Sequence, residues 1–400
     1  VKILWAKSDF LHPTDRGGQI RTLEMVKRLH ARHELHYIGF AEAGQTEGPA
    51  RAPEYSSRSY ALAAPMPTKG TARFYQQLVL NLPSALPAVI FWQRSEAMRR
   101  KISELLAREN YDVCVCDFLS PAINIPDVSR WILFQHNVET IIWRRHASTA
   151  GNFLSRRYFQ NQAERMERFE GDICRRFGGV VAVSENDART MEKEFELANV
   201  AWVPTGVDLE SLSPPPGYRP AHPSDLVFVG SMDWLPNIDG MRYFMAQILP
   251  RLRQQKPDLT LTIAGRRPTQ EILGWAAADP RVRVTGTVAD IRPYLWSASI
   301  SIVPLRIGGG TRLKIYESMA ARVPVVSTTI GAEGLEIDPP HNIRIADTDE
   351  SFAAQCLALL ADAEARRAVS EAAWAMVSRH YGWESVTRGF EDILAGARAR

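Results

Sequence analysis

Segment 303–335, VPLRIGGGTRLKIYESMAARVPVVSTTIGAEGL, constrains the fold of this chain more than any other stretch. An apolar run ending in proline is followed by Gly308, Gly309 and Gly310, and from Thr311 onward apolar residues recur at helical spacing. A second apolar run, 324–328, closes the unit. Strand, glycine loop, helix and strand in this order predict a parallel sheet, which binds ligands at the carboxyl ends of its strands. The glycines let the backbone approach a ligand closely, and the first turn of the helix presents unpaired N–H groups and the positive end of its dipole. Arg312 and Lys314 add two positive charges where the dipole disfavours cations, so a multiply negative ligand is expected to compensate them. The competing reading makes Lys314 and Glu317 a solvated ion pair worth ~0.3–0.5 kcal/mol.

At 400 residues the chain exceeds one ordinary core and suits two domains of about 200 residues each. A net charge of +3 gives no global reason for a nucleic-acid partner, and none is expected. Cys114, Cys116, Cys174 and Cys356 form neither a C-x-x-C pair nor a disulfide framework and read as reduced core residues. His30, His33 and His36 recur every three residues but run from a helix end into a strand, which disfavours a metal site. The N-terminal VKILWAKS enters a strand directly, without the succession of an export signal, so a cytoplasmic location is expected. The richest apolar stretch, 78–92, is broken by Asn81, Pro83, Ser84 and Pro87 and is too interrupted to span a bilayer.

Strands are expected at 1–6, 34–41, 60–64, 112–118, 131–135 and 180–184, alternating with helical segments that include 20–29. Gly17 and Gly18 stand at the first strand-to-helix turn without the G-x-G-x-x-G of a dinucleotide site. Segments 68–101 and 152–177 are rich in aromatic and basic residues. They read as amphipathic helices packed on the sheet, or as a surface for an acceptor or for peripheral contact with the inner face of a membrane. Five prolines between 214 and 223 predict a stiff linker, about 206–224, without a core of its own. The pattern then restarts, with strands expected at 226–231, 259–265, 281–288 and 300–304 and a helix at 237–255.

In this order DRGGQIRTLEMVKRL, VPTGVDLESL, VFVGSMDWLPNIDGMRYFMAQILP, LTIAGRRP, VTGTVADIRPYLWSASISIVPL, the opening segment and the closing HYGWESV resemble a GT-B-fold glycosyltransferase of the family 4 type, over nearly the whole chain. The resemblance implies an α/β fold of two Rossmann-like, doubly wound parallel-sheet domains facing a cleft. The first, 1–205 with about 381–400, would bind the acceptor; the second, 206–380, would bind a nucleotide-sugar donor; and a C-terminal helix would cross back to the first. It implies a retaining sugar transfer to a glycan, a lipid-linked or a small-molecule acceptor. Two departures stand out. Counting back from Glu317 places Gly309 where relatives carry a first glutamate, and Ser231 and Asn237 stand where relatives hold the diphosphate with an Arg and a Lys.

The expected site follows. Gly308, Gly309, Gly310, Thr311, Arg312 and Lys314 would hold the leaving diphosphate, with Gly230 and Ser231 beside it, and Glu317 would accept from the ribose hydroxyls. Gly286 and Val288, in GTVAD, would face the base. His136, at the end of ILFQHN, takes the position of a cleft histidine near the donor sugar, without assignment as a general base. Gly17, Gly18, Asp15, Arg16 and Arg21 are candidates on the acceptor side. Fixed positive charge makes a divalent metal unnecessary, so neither metal nor cofactor is expected, and the sequence is read as lacking a D-x-D carboxylate pair of the sort metal-using transferases carry. The alternatives are a sugar-nucleotide epimerase of the same fold and a non-catalytic sugar-nucleotide-binding subunit.

Overall fold

The computed structural model describes residues 1–14, 17–42, 44, 46–65, 71–81, 83–149, 152–307 and 313–398. The chain divides into two compact units, Val1–Thr205 with Val386–Arg400, and Gly206–Ser385. The first unit holds strands β1 (Lys2–Ala6), β2 (Glu34–Ala41), β3 (Arg58–Ala63), β4 (Val113–Asp117), β5 (Trp131–Gln135), β6 (Gly179–Ala182) and β7 (Ala201–Trp202). They form one parallel sheet in the order β3-β2-β1-β4-β5-β6-β7. The second holds β8 (Ser224–Val229), β9 (Leu261–Ala264), β10 (Val282–Val284), β11 (Ala298–Val303), β12 (Val325–Ser327) and β13 (Arg344–Ile345), parallel in the order β10-β9-β8-β11-β12-β13.

Both faces of these sheets are covered, which is why the strands read as continuous apolar runs. In β1, Leu4 and Ala6 join a core with Ile38, Cys114, Cys116 and Leu133, while Ile3 and Trp5, pointing the other way, are equally inaccessible. All four cysteines are buried. The strand order reverses between β1 and β4 in one sheet and between β8 and β11 in the other, and such switch points open a crevice beyond the strand ends.

Three expectations need correction. The 237–255 helix is built as Leu235–Tyr243, a wider π turn over Phe244–Ile248, and Leu249–Gln255. Pro250 explains the turn, since it has no N–H to give and its ring crowds the carbonyl four residues back. Segment 281–288 pairs only over Val282–Val284, because Gly286 turns the chain away with φ at 68°. The proline-rich linker is not without a core: Leu212 is buried, the Tyr218 ring packs edge-on against Trp296 at 5.1 Å, and Trp296 Nε1 donates to the Leu212 carbonyl at 2.6 Å. The last helix, Trp383–Arg398, leaves the second unit and joins the first at Val386, where Phe390 sits between Trp5 (5.9 Å) and Phe134 (5.0 Å).

Candidate functional site

The second unit carries a pocket of about 490 Å³ lined by Gly230, Ser231, Asp233, Trp234, Asn237, Arg266 and Lys314. Three loop-to-helix connections build it: the turn after β8, the turn after β9, and the helix Leu313–Ala320 that follows β11. Ile315, Tyr316, Met319 and Ala320 bury one face of that helix, which leaves Lys314 to reach back over the end of β8. Its Nζ donates to Asn237 Oδ1 at 2.8 Å and lies 4.6 Å from the centre of the Phe228 ring. The Asn237 amide is thereby oriented, and its nitrogen donates to the Ser231 carbonyl at 2.8 Å. Arg266 Nε donates to Ser231 Oγ at 3.0 Å from the neighbouring loop. A Cβ at Gly265 would stand 1.8 Å from the Gly230 carbonyl oxygen, so packing against backbone requires glycine there, whereas one at Gly230, 2.8 Å from Lys314 Nζ and 2.7 Å from Asn237 Nδ2, would displace the ends of those two side chains.

Two cations and an amide network thus meet at the switch point of the sheet. One turn beyond Lys314, Glu317 is partly buried and its carboxylate makes no hydrogen bond among the described residues; burial raises that carboxyl above the ordinary range and the charge of Lys314 offsets only part of this. Gly230, Ser231 and Lys314 come together here as expected neighbours. Gly286 and Val288 lie at the end of β10, two strands from β8, and do not line the pocket. Gly308, Gly309, Gly310, Thr311 and Arg312 fall outside the described residues, as do Asp15 and Arg16. Arg266 was not among the expected residues; its signal was its place directly after an apolar run ending in glycine, LTIAGRRP.

The first unit gathers a second polar cluster at the ends of β1, β4 and β5. Asp117, fully buried, accepts from Trp5 Nε1 at 3.0 Å and Thr22 Oγ1 at 2.7 Å, and pairs with Lys7 Nζ at 3.3 Å. Those partners and His136 hold its carboxyl well below the usual range against the opposing effect of burial. His136 Nε2 lies 2.7 Å from Asp117 Oδ1, close but poorly aligned for a hydrogen bond, and Nδ1 is 3.2 Å from Arg21 Nη1. Since a guanidinium can only donate, Nδ1 is the acceptor and the proton sits on Nε2. Burial pushes the imidazole down to about 3, and it pushes Arg21, which also bonds Thr205, down to about 10. The His136 ring stacks on Phe118 at 3.9 Å. Both ring nitrogens therefore face protein groups. At Gly18 the space that glycine leaves is filled from within, because a Cβ there would lie 2.7 Å from the Phe118 ring.

Among the described residues no group of three or more His, Cys, Asp or Glu is placed to hold a metal. The sequence does contain a D-x-D triplet, Asp347-Thr348-Asp349, but protein donors occupy it. Asp347 accepts from the Thr329 amide and hydroxyl, each at 2.7 Å, and Asp349 pairs with Arg251 at 2.6 Å.

The profile of Glycosyltransferase Family 4 matches residues 16–211, and that of Glycosyl transferases group 1 matches residues 223–362. An uncharacterized 44.6 kDa protein in the cps region of Klebsiella pneumoniae is 20% identical over 96% of this chain and 98% of its own length. A glycogen synthase of Mycobacterium tuberculosis is 26% identical over 54% of this chain and 53% of its own. Among solved structures, HepE of Anabaena in complex with UDP superposes with a TM-score of 0.65 at 13% identity, covering 99% of this chain and 100% of that one. Sucrose-phosphate synthase of Thermosynechococcus elongatus gives 0.67 at 16% identity, covering 100% of both.

Proposed function

This chain is a GT-B-fold glycosyltransferase of the family 4 type, and from that premise we propose that it moves a sugar from a nucleotide-sugar donor to a hydroxyl of a glycan, lipid-linked or small-molecule acceptor, with retention of configuration and without a divalent metal. The observation that carries the reading is the convergence of Lys314 and Arg266 on one pocket beside Gly230, at the switch point of the second sheet. The bond between the sugar C1 and the diphosphate oxygen breaks, the acceptor oxygen bonds C1, and the acceptor proton passes to the leaving phosphate. Negative charge grows on the diphosphate as it leaves, so cations fixed beside it lower the barrier. Lys314 is held in place by Asn237 and the Phe228 ring, which limits the reorganisation needed at that moment. Arg312 and the amides of residues 308–310 complete the diphosphate site in this proposal. Glu317, whose carboxylate has no hydrogen bond among the described residues, takes the ribose hydroxyls, and Gly286 and Val288 the base.

His136 is neutral and offers no free lone pair, so its role is to hold Arg21 and Phe118 on the acceptor side rather than to take a proton. Gly17, Gly18, Asp15 and Arg16 belong to the same side. UDP is the first nucleotide to test, since HepE binds it. Four buried free thiols fit a reducing, cytoplasmic setting.

Calorimetric titration of UDP, GDP, ADP and TDP into the wild type, Lys314→Ala and Glu317→Ala tests the assignment. Loss of one charge-assisted bond in Lys314→Ala is expected to weaken the bound nucleotide by about 1.5–3 kcal/mol, roughly tenfold or more, and to cut kcat by about 10²–10³. Glu317→Ala is expected to act mainly on affinity and on the donor KM. Indistinguishable isotherms for all three proteins would remove the donor site from this helix.

A further inference from the structure

The pocket of the second unit holds two groups that a diphosphate does not account for. Arg266 and Lys314 supply positive charge, but Asp233 and Trp234 line the same space. Trp234 closes the turn after β8, its carbonyl accepting from the Asn237 amide at 3.0 Å where the helix Leu235–Tyr243 begins. Ser231 links the charges of opposite sign. Its hydroxyl accepts from Arg266 Nε at 3.0 Å and donates to Asp233 Oδ1, while Arg267 Nη1 donates to Asp233 Oδ2 at 3.1 Å. The Ser231 hydroxyl and then the Arg267 guanidinium hold the Asp233 carboxyl below the ordinary range, so it is ionised at neutral pH. With its side chain 38% exposed, it keeps lone pairs for a ligand. Trp234 is 42% exposed, and its indole makes no hydrogen bond, ring contact or cation–π contact among the described residues.

Neither group suits an anion. A phosphate beside Asp233 would be repelled, and the face of an indole carries the negative part of its quadrupole. A pyranose suits both, because its hydroxyl edge donates to a carboxylate and its apolar C–H face lies against an aromatic ring. We propose that Asp233 and Trp234 form a sugar subsite in this pocket and select a neutral hexose over a uronate. The assignment rests on the donor site proposed for the same pocket, in which Lys314 and Arg266 take the diphosphate. Asp233 then accepts from hydroxyls of the sugar, and Trp234 covers one face of its ring. A uronate would bring a second carboxylate into a subsite that already holds one, and like charges brought together select against it. Asp233 and Trp234 are therefore specificity-determining residues that touch the donor, and their effect falls on the sugar rather than on the nucleotide.

The test is calorimetry of the full chain with UDP, UDP-glucose, UDP-galactose, UDP-N-acetylglucosamine and UDP-glucuronate. The wild type is expected to bind UDP, and to favour the best of the three hexose nucleotides over UDP-glucuronate by roughly tenfold or more. Asp233→Asn keeps an oxygen for the Ser231 hydroxyl but loses the charge. It is expected to bind UDP as the wild type does, to bind that hexose nucleotide roughly tenfold more weakly, and to lose the discrimination against glucuronate. Trp234→Ala is expected to weaken the hexose nucleotide with UDP unchanged, and Trp234→Phe to restore most of that affinity. Lys314→Ala is expected to weaken UDP and every UDP-sugar alike, which separates a failure of the sugar subsite from a failure of the donor site. If Asp233→Asn weakens UDP as much as the hexose nucleotide, the carboxylate only supports the diphosphate loop and the proposal is overturned. Unchanged hexose binding in Asp233→Asn and Trp234→Ala, or a wild type that binds UDP-glucuronate as tightly as the best hexose nucleotide, would overturn it too. A wild type that binds no UDP would overturn the donor site and the subsite together.

Discussion

Ionisable side chains that read as surface residues in the sequence decide much of the first unit. Lys7 and Asp117 are nearly inaccessible, and each is tolerable there only because the other, with Trp5 and Thr22, replaces the water it loses. Glu139, in the first turn of its helix, is in the opposite position. Glu170 already occupies the amides of Glu139 and Thr140 (2.9 and 2.7 Å), and burial together with that neighbouring carboxylate pushes Glu139 from its ordinary 4.5 up to about 7, against a hydrogen bond from Asn137. A carboxyl raised on folding contributes stability in full below about 4.5 and loses it as pH rises through about 7. Glu139→Gln is therefore expected to stabilise the fold at pH 8 by on the order of 1–3 kcal/mol, seen as a higher melting temperature, and to leave it unchanged near pH 4. Thermal unfolding across that range checks it, and equal effects at both ends would refute the burial argument.

Glycines mark the places where elements come too close for a side chain. Gly265 brings the turn after β9 against the turn after β8, where its missing Cβ would lie 1.8 Å from a backbone oxygen. Gly265→Ala is expected to push Gly230 and Ser231 out of register with Asn237 and Lys314, weakening nucleoside diphosphate binding more than it lowers the melting temperature. Comparison of the two measurements decides it. The element pattern itself was legible where strands are buried on both faces: 34–41 and 131–135 were expected with the bounds observed. Strands β7 and β13, two residues each at sheet edges, were missed because so short a pairing leaves no periodicity to read.

At the scale of the whole molecule, the balance of fixed charge bears on metal use. Protein donors hold the D-x-D triplet, and among the described residues no carboxylate or histidine cluster stands ready for a cation. Sugar transfer is therefore expected to continue at an unchanged rate in excess EDTA. A loss of turnover that manganese or magnesium restores would show that a metal, not Lys314, Arg266 and Arg312, neutralises the leaving group.

The sequence by itself determined the two parallel α/β sheets, the family, and the helix that carries Lys314 and Glu317, because apolar periodicity and turn residues are local properties of the chain. Tertiary structure alone decided that Arg266 joins Lys314, that Asn237 orients the lysine, that the space at Gly18 belongs to Phe118, and that His136 has no nitrogen to spare. These depend on which strand ends become neighbours, and residues such as Lys7 and Asp117, 110 positions apart in the chain, carry no local signal of the contact that makes their burial affordable.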